Sequence, residues 1–424
     1  MNNKKNTELS KYIENISLKA NKASKTLSNV STASKNKALK LIAKNLKKDS
    51  VKILKANEKD MKIALNNNTS KALLDRLYLD KKRIKDMIDG LNNIIKLEDP
   101  VGKIIKSWTP KNGIKMCQTR VPIGVIGIIY ESRPNVTVDA SALSLKSGNA
   151  IILRGGSESF YSSKVITNSI RDALKKSSLP IDSIQMINTI DRNAVGKLLK
   201  MNDLVNLIIP RGGKSLIQRV QKDSKIPVLS HLDGLCHTFI DKKADKKMSL
   251  QIAFNAKMRR TGICGATETL LCHKDSSNNI LPEIINKLIE NGCEVRGDKF
   301  VQTINKNVKP ASKLDWQTEY LDSIISIKIV DDVLDAIDHI EKYGSNHTDA
   351  IITNNARNAE TFLNNVNSAI VIHNASTQYA DGGEFGMGAE MGIATGKLHA
   401  RGPVALEELT TYKYQLRGKG QIRP

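Results

Sequence analysis

The chain has 424 residues, 40% of them hydrophobic and 26% charged, with a formal net charge of +23. That length exceeds one ordinary hydrophobic core, so two or three domains are expected, and no run approaches the ~18 uninterrupted apolar residues of a membrane-spanning helix. Five cysteines (Cys117, Cys236, Cys264, Cys272 and Cys293) are few, odd in number and widely spread. They point to free thiols in a reducing cytoplasm and away from a disulfide framework. The first ten residues lack the apolar stretch of a signal peptide, so no export signal is expected there.

Residues 1–110 hold 25 Lys and Arg against 11 Asp and Glu. A basic arm could bind nucleic acid through its phosphates. The only aromatics in that stretch are Tyr12, Tyr78 and Trp108, so no stacking platform is evident. Solvated, Lys-rich helix faces are the favoured reading.

The first hundred residues read as helical. Leu39, Ile42, Ala43 and Leu46 follow the helical period, as do Ile84, Met87, Ile88, Leu91 and Ile95, with Asp80 placed to cap the second stripe. Pro100, Gly102, Pro110 and Gly113 then break the pattern, which suits an extended surface hairpin over about 100–120. Residues 121–130 form a β-branched apolar run, expected as one strand buried on both faces. A helix over 137–146, a strand over 150–153, a helical stretch to about 176, a short strand at 185–187, a helix at 193–200 and a strand at 204–209 follow. This alternation predicts a parallel sheet wound in βαβ units. Strands at 235–240, 269–272 and 324–330, with helices at 250–257 and 333–343, predict a second α/β unit.

Two strands end in Gly-Gly turns that open a helix, Gly155-Gly156 and Gly212-Gly213, with Arg154, Arg211 and Lys214 beside them. Such turns at strand ends offer backbone N–H groups to phosphates. The alternative is two tight turns that need glycine for a positive φ. The segment Asn255-Ala-Lys-Met-Arg-Arg-Thr-Gly-Ile-Cys-Gly-Ala-Thr267 puts Cys264 on a small-residue turn after Lys257, Arg259 and Arg260. Neighbouring cations would favour the nucleophilic thiolate; a half-buried structural thiol is the competing reading. His231, Cys236, His237, Cys272 and His273 raise the question of a metal, but no CxxC or HxxxH spacing supports one, so no metal site is expected.

Five blocks carry a family resemblance: residues 121–158 around Glu131-Ser-Arg-Pro-Asn-Val-Thr137; Leu232-Asp-Gly-Leu-Cys-His237; the Cys264 segment; 336–351; and Phe385-Gly-Met-Gly-Ala-Glu-Met-Gly-Ile393 through Leu398-His-Ala-Arg-Gly-Pro403 to Tyr412-Lys-Tyr414. In this order they resemble the gamma-glutamyl phosphate reductases (glutamate-5-semialdehyde dehydrogenases) of the aldehyde dehydrogenase superfamily. The resemblance implies an aldehyde dehydrogenase-like α/β fold: a Rossmann-type NADP-binding domain over 1–235, a catalytic α/β domain over 236–375, and a return with a small β oligomerisation element over 376–424. It implies NADPH-dependent reduction of L-glutamyl 5-phosphate in proline biosynthesis, in the cytoplasm. A separate glutamate 5-kinase would supply the substrate, and the enzyme would be a homo-oligomer.

The same resemblance assigns residues. Cys264 would be the nucleophile and Asn135 an oxyanion donor, Asn135 being otherwise a post-proline turn residue. Arg154, Gly155, Gly156, Ser157, Glu158, Gly212, Gly213, Ser215 and Glu319 would contact the cofactor. Arg133 and Arg401 would meet the substrate, or else form structural ion pairs. The chain departs from the family in Gly265, where Asn is usual. It also carries His231 where hydrolytic aldehyde dehydrogenases have a glutamate base. Those hydrolytic enzymes, and an inactive basic RNA-binding relative, are the alternatives.

Overall fold

A computed structural model describes residues 2–423 and divides into two compact units. The first comprises the chain up to Ser230, Gly386–Gly392 and the part from Val404 onward; the second comprises His231–Phe385 and Ile393–Pro403.

The first unit opens with α1 (Asn2–Leu27), α2 (Thr32–Lys48), α3 (Ser50–Asn66), α4 (Lys71–Leu77) and α5 (Lys81–Lys96). Helix α2 buries Leu39, Ile42, Ala43 and Leu46, the stripe its period predicts. In α5 the buried set is Ile84, Met87, Leu91 and Ile94, which leaves Ile88 and Ile95 half-buried at the margin of the stripe. The Asp80 carboxylate caps α5 by accepting the Arg83 N–H at 2.7 Å.

Strands β1 (Ile104–Trp108) and β2 (Lys115–Pro122) pair antiparallel, and the C-terminal strand Thr410–Arg417 lies along β2 on the other side. The single strand expected over 121–130 is in fact two. Gly124 takes a φ of +126°, and a Cβ there would lie 2.3 Å from Asn206 Oδ1. That same oxygen accepts the Val125 N–H at 2.8 Å. The chain therefore turns between β2 and β3 (Val125–Tyr130) and enters a new sheet.

β3 lies in a parallel sheet with β4 (Ala150–Gly155), β5 (Ile184–Met186) and β6 (Leu207–Arg211), in the order β5-β4-β3-β6. Every residue of β3 and β4 is buried, as continuous apolar runs require in a sheet covered on both faces. The intervening helices are α6 (Pro134–Lys146), α7 (Phe160–Leu174), α8 (Asn193–Leu198) and α9 (Lys214–Asp223). The strand order reverses between β3 and β6, so a crevice is expected outside their carboxyl ends.

The second unit carries a seven-stranded parallel sheet. In chain order it comprises β7 (Cys236–Ile240), β8 (Thr267–His273), β9 (Glu294–Gly297), β10 (Lys309–Pro310), β11 (Ile324–Val330), β12 (Thr348–Ile352) and β13 (Ile370–His373). Side by side they run β10-β9-β11-β8-β7-β12-β13. Along β8, Leu270 and Cys272 pack with Ile280, Leu281, Ile284 and Leu288 of the helix Lys274–Glu290. Leu271 points to the opposite face, among Phe239, Ala336, Ile340 and Phe362. Helices thus cover both faces, and the edges of the strands are left to carry chemistry.

Candidate active site

Cys264 lies in the loop between the helix Lys246–Met258 and β8, two residues before Ala266 leads into the strand. His347 immediately precedes β12, and Gly234 and Leu235 immediately precede β7. Glu319 lies ahead of β11. These residues gather at the amino edge of the sheet, whereas the usual ligand position in an open α/β sheet is its carboxyl edge.

The cysteine loop is held by close backbone contacts. A Cβ on Gly234 would fall 2.2 Å from the Cys264 carbonyl oxygen and 2.4 Å from its Cα, so only glycine fits. The Cys236 thiol donates to the Cys264 carbonyl at 3.0 Å, and the Glu319 carboxylate accepts the Gly234 N–H at 2.9 Å. Behind the loop, the Gln378 amide donates to the carbonyls of Ala256 (2.9 Å) and Arg260 (3.1 Å). Among the five cysteines Cys264 alone is not buried. Cys264 is therefore the cysteine with surface left to meet a reagent or substrate.

The sequence named the cations Lys257, Arg259 and Arg260 as activators of that thiol, and the structure replaces them. Lys257 is buried and ion-paired to Glu268 at 2.5 Å. Arg259 reaches Gln378 at 3.4 Å. Burial alone would push the Cys264 thiol up, but the imidazoles of His347 and His231 outweigh it and hold the thiol well below its ordinary value. His231, Cys264 and His347 place their ligating atoms within 4.8 Å of one another. The two rings meet edge to face, centroids 4.9 Å apart. Sequence spacing could not show this trio, because its members come from three separate segments. Its visible traces were His231 in the place of a glutamate and His347 in the 336–351 block.

In the first unit, the carboxyl ends of β3 and β4 and the start of α9 border a cavity of about 320 Å³, within the usual range for a small-molecule site. Glu131, Arg154, Gly156, Ser157, Glu158, Arg192, Ser215 and Arg219 line it. Arg154 is 5% exposed; its guanidinium donates to the Gly155 and Ile190 carbonyls, while Nε has no hydrogen-bond partner. The Gly-Gly turns do not use positive φ: Gly156 has φ −63° and Gly213 φ −70°. Instead, one glycine of each turn lies against a carboxylate, whose end could swing away from a side chain there. A Cβ on Gly156 would lie 2.1 Å from Glu158 Oε1, and one on Gly212 would lie 2.4 Å from Glu131 Oε2. Glu158 accepts the Ser132 N–H at 2.6 Å, and Glu131 accepts the Gly213 N–H at 2.8 Å. Two carboxylates thus already occupy backbone donors of the kind expected to meet phosphate, while Arg154, Arg192 and Arg219 supply positive charge to the same walls.

The start of α7 is fixed from α3. Buried Asp60 accepts the N–H groups of Tyr161 (3.1 Å) and Ser162 (2.7 Å). Asn135 lies in the first turn of α6 and donates its amide to Asp139 at 3.2 Å. Burial pushes that Asp139 carboxyl up to about 6. Arg133 occupies the N-cap of α6. Arg401, in the second unit, donates to the Thr395 carbonyl (3.2 Å), the Asn367 side chain (3.1 Å) and the Asn367 carbonyl (2.7 Å). Its guanidinium is engaged in joining two loops.

A model of the aldehyde dehydrogenase family matches residues 6–295. The gamma-glutamyl phosphate reductase of Paramagnetospirillum magneticum is 52% identical over 418 residues, 99% of each chain. That of Zymomonas mobilis is 53% identical over 406 residues, covering 96% of this chain and 95% of its own. The solved structure of the gamma-glutamyl phosphate reductase of Thermotoga maritima superposes with a TM-score of 0.94 at 45% identity, covering 97% of this chain and 100% of that one.

Proposed function

Because the chain belongs to the gamma-glutamyl phosphate reductases of the aldehyde dehydrogenase family, we propose that it reduces L-glutamyl 5-phosphate to L-glutamate 5-semialdehyde and phosphate, the second step of proline biosynthesis from glutamate. The observation that carries this reading is the partly exposed Cys264, its thiol held toward thiolate between two imidazoles.

In this proposal the Cys264 thiolate attacks the acyl carbonyl, and phosphate departs with the bonding electron pair, leaving a thioester. The Asn135 amide and the Cys264 N–H donate to the oxygen that turns anionic in each tetrahedral step; removing one such donor typically costs ~10²–10³ in rate. The Asn135–Asp139 bond orients that amide. NADPH, when bound, supplies the hydride that converts the thioester to the aldehyde level. The C–S bond then breaks, which returns the electron pair to Cys264. The cavity at β3, β4 and α9 is assigned to the cofactor, with Arg154, Gly156, Ser157, Glu158 and Ser215 on its walls and Gly155, Gly212 and Gly213 assigned to the same ligand from the adjoining turns. Arg192 and Arg219 add cationic partners suited to a phosphorylated ribose. Glu319 is assigned to the nicotinamide ribose, while Arg133 and Arg401 are assigned to the substrate's anionic groups.

The proposal includes a homo-oligomer joined through the three-stranded antiparallel sheet, where Ile104, Ile105, Tyr412, Tyr414 and Leu416 are exposed. It also includes a cytoplasmic location and a separate glutamate 5-kinase as supplier. Among the described residues, no helix is long and apolar enough to cross a membrane.

One observation favours a second reading. His231 beside the thiol could activate water and hydrolyse the thioester, as in an aldehyde-oxidising enzyme. The reverse reaction separates the two. With pyrroline-5-carboxylate and NADP⁺ as reactants, NADPH should form only when phosphate is present, and Cys264→Ala should lower the rate by at least ~10³-fold. Phosphate-independent NADPH formation would establish hydrolysis, and activity surviving in Cys264→Ala would remove the thioester route.

A further inference from the structure

We propose that His231, Cys264 and His347 form a binding site for one soft divalent cation of the Zn²⁺ class, and that its occupation shuts off the thiol. The inhibitory half rests on Cys264 being the acyl acceptor; the binding half stands on the geometry alone.

The donor set is one sulfur and two imidazole nitrogens, the combination that zinc prefers and that magnesium and calcium do not. The three ligating atoms already lie within 4.8 Å of one another. Tetrahedral zinc at ~2.0–2.3 Å from each would need them ~3.3–3.6 Å apart, so the widest pair would have to close by up to ~1.2–1.5 Å. Each ligand comes from a different segment ahead of the same sheet edge, so the parallel strands hold the set together before any metal arrives.

The groups behind the two rings fit as well. His231 Nδ1 lies 2.7 Å from the Ile393 carbonyl, which places the ring proton on Nδ1 and the lone pair on Nε2. His347 Nδ1 lies 2.9 Å from Thr348 Oγ1, and its Nε2 is buried without a hydrogen-bond partner. The His347 ring also acts directly on the Cys264 thiol, so it faces the sulfur that would share the metal. The Cys264 backbone is anchored through its carbonyl by Cys236. The carboxylate of Glu319, close enough to interact with both Cys264 and His231, adds the negative charge that a dication favours.

Binding needs no redox partner. The Cys264 sulfur donates its electron pair to the metal, and any thiol proton leaves to solvent. The same electron pair is then unavailable to attack an acyl carbonyl. Three protein ligands leave the fourth position to water or to a phosphate oxygen. Reversible occupation would protect the Cys264 thiol from alkylation and oxidation while holding the enzyme idle.

The test uses the full-length protein, freed of metal, with ZnCl₂ and CoCl₂ as probes. Competition against a chromogenic chelator should give one Zn²⁺ per chain. Cys264→Ser and His347→Ala should each weaken binding by more than ~10²-fold. Co²⁺ on the parent should produce a thiolate-to-metal charge-transfer band, a readout that needs no variant to fold. Zn²⁺ should also slow iodoacetamide labelling of Cys264, mapped by mass spectrometry, and inhibit reduction with the same midpoint as binding. Absence of the band, labelling unaffected by Zn²⁺, or unchanged affinity in Cys264→Ser would overturn the site. Binding with full reductase activity would overturn the inhibitory half. Binding lost in Cys264→Ser, in a parent with no reductase activity, would uphold the site and remove the functional reading.

Discussion

Gly234 and Gly265 flank the same cysteine and answer to different constraints. A side chain on Gly234 would meet the Cys264 backbone at 2.2–2.4 Å, atoms that cannot rotate away. Gly234→Ala is therefore expected to displace the nucleophile loop, to cost on the order of 1–3 kcal/mol of stability and to abolish reduction. A Cβ on Gly265 would lie 3.1 Å from the Thr377 carbonyl, 3.5 Å from Ala380 Cβ and 3.8 Å from the Ala380 carbonyl, contacts that a shift of a few tenths of an ångström relieves. Gly265→Asn, the residue the resemblance leads one to expect there, should stay within about 1 kcal/mol of the parent. Urea unfolding and reductase assays on both variants test the contrast; equal losses would show that the two positions share one constraint. At this scale Cys264 was legible because small residues and a following apolar run surround it in the chain. The groups that tune it were not. Lys257 is near in sequence but turned inward to Glu268, while His231 and His347 reach the thiol only once β7, β8 and β12 are aligned.

The Lys257–Glu268 pair joins the helix Lys246–Met258 to β8 with both side chains fully buried. Burial pushes the Glu268 carboxyl up to about 7 against the pull of Lys257, and the same carboxylate accepts the Leu321 N–H at 3.2 Å. Removing one partner leaves a buried charge uncompensated, so Lys257→Met should cost about 3–5 kcal/mol, whereas the double change Lys257→Met with Glu268→Met should recover most of it. A double-mutant cycle in urea measures the recovery; if the double variant is as unstable as the single, the pair is not the source of the loss. The same elements show which parts of the fold the sequence could disclose. β3 is an uninterrupted apolar run and β4 and β6 open with one, and β11 and the helix Val333–Tyr343 are found over the residues predicted for them. β9, β12 and β13 escaped notice. β9 alternates Glu294 and Arg296 with buried residues, and those charges are tied to each other, to Lys309 and to Asp315. Its strand character comes from partners brought by the fold, not from its own composition.

For the whole molecule, pH acts through two routes that can be separated. The first is general: with a formal charge of +23 at neutrality, protonating carboxylates adds self-repulsion as the pH falls. The second is local, at His339. This side chain is 4% exposed, packed against the rings of Tyr343 (4.7 Å), His237 (5.6 Å) and Trp316 (5.7 Å), with Nε2 unpartnered. Burial first, then the charges of His237, Lys328 and Lys342, lower its pKa from 6.5 to about 3. Between those values the unfolded chain holds a proton that the folded chain does not. Stability is therefore complete above pH 6.5 and falls as the pH drops toward 3, by on the order of 1 kcal/mol per unit. His339→Phe keeps a ring in the same packing and removes this proton. Its stability should fall less steeply than the parent's from pH 6.5 to 4.5, with a gap on the order of 2 kcal/mol at the lower end. Urea midpoints measured at matched ionic strength across that range decide it. Parallel curves would assign the acid loss to general repulsion, and converging values above pH 6.5 would place it at this histidine.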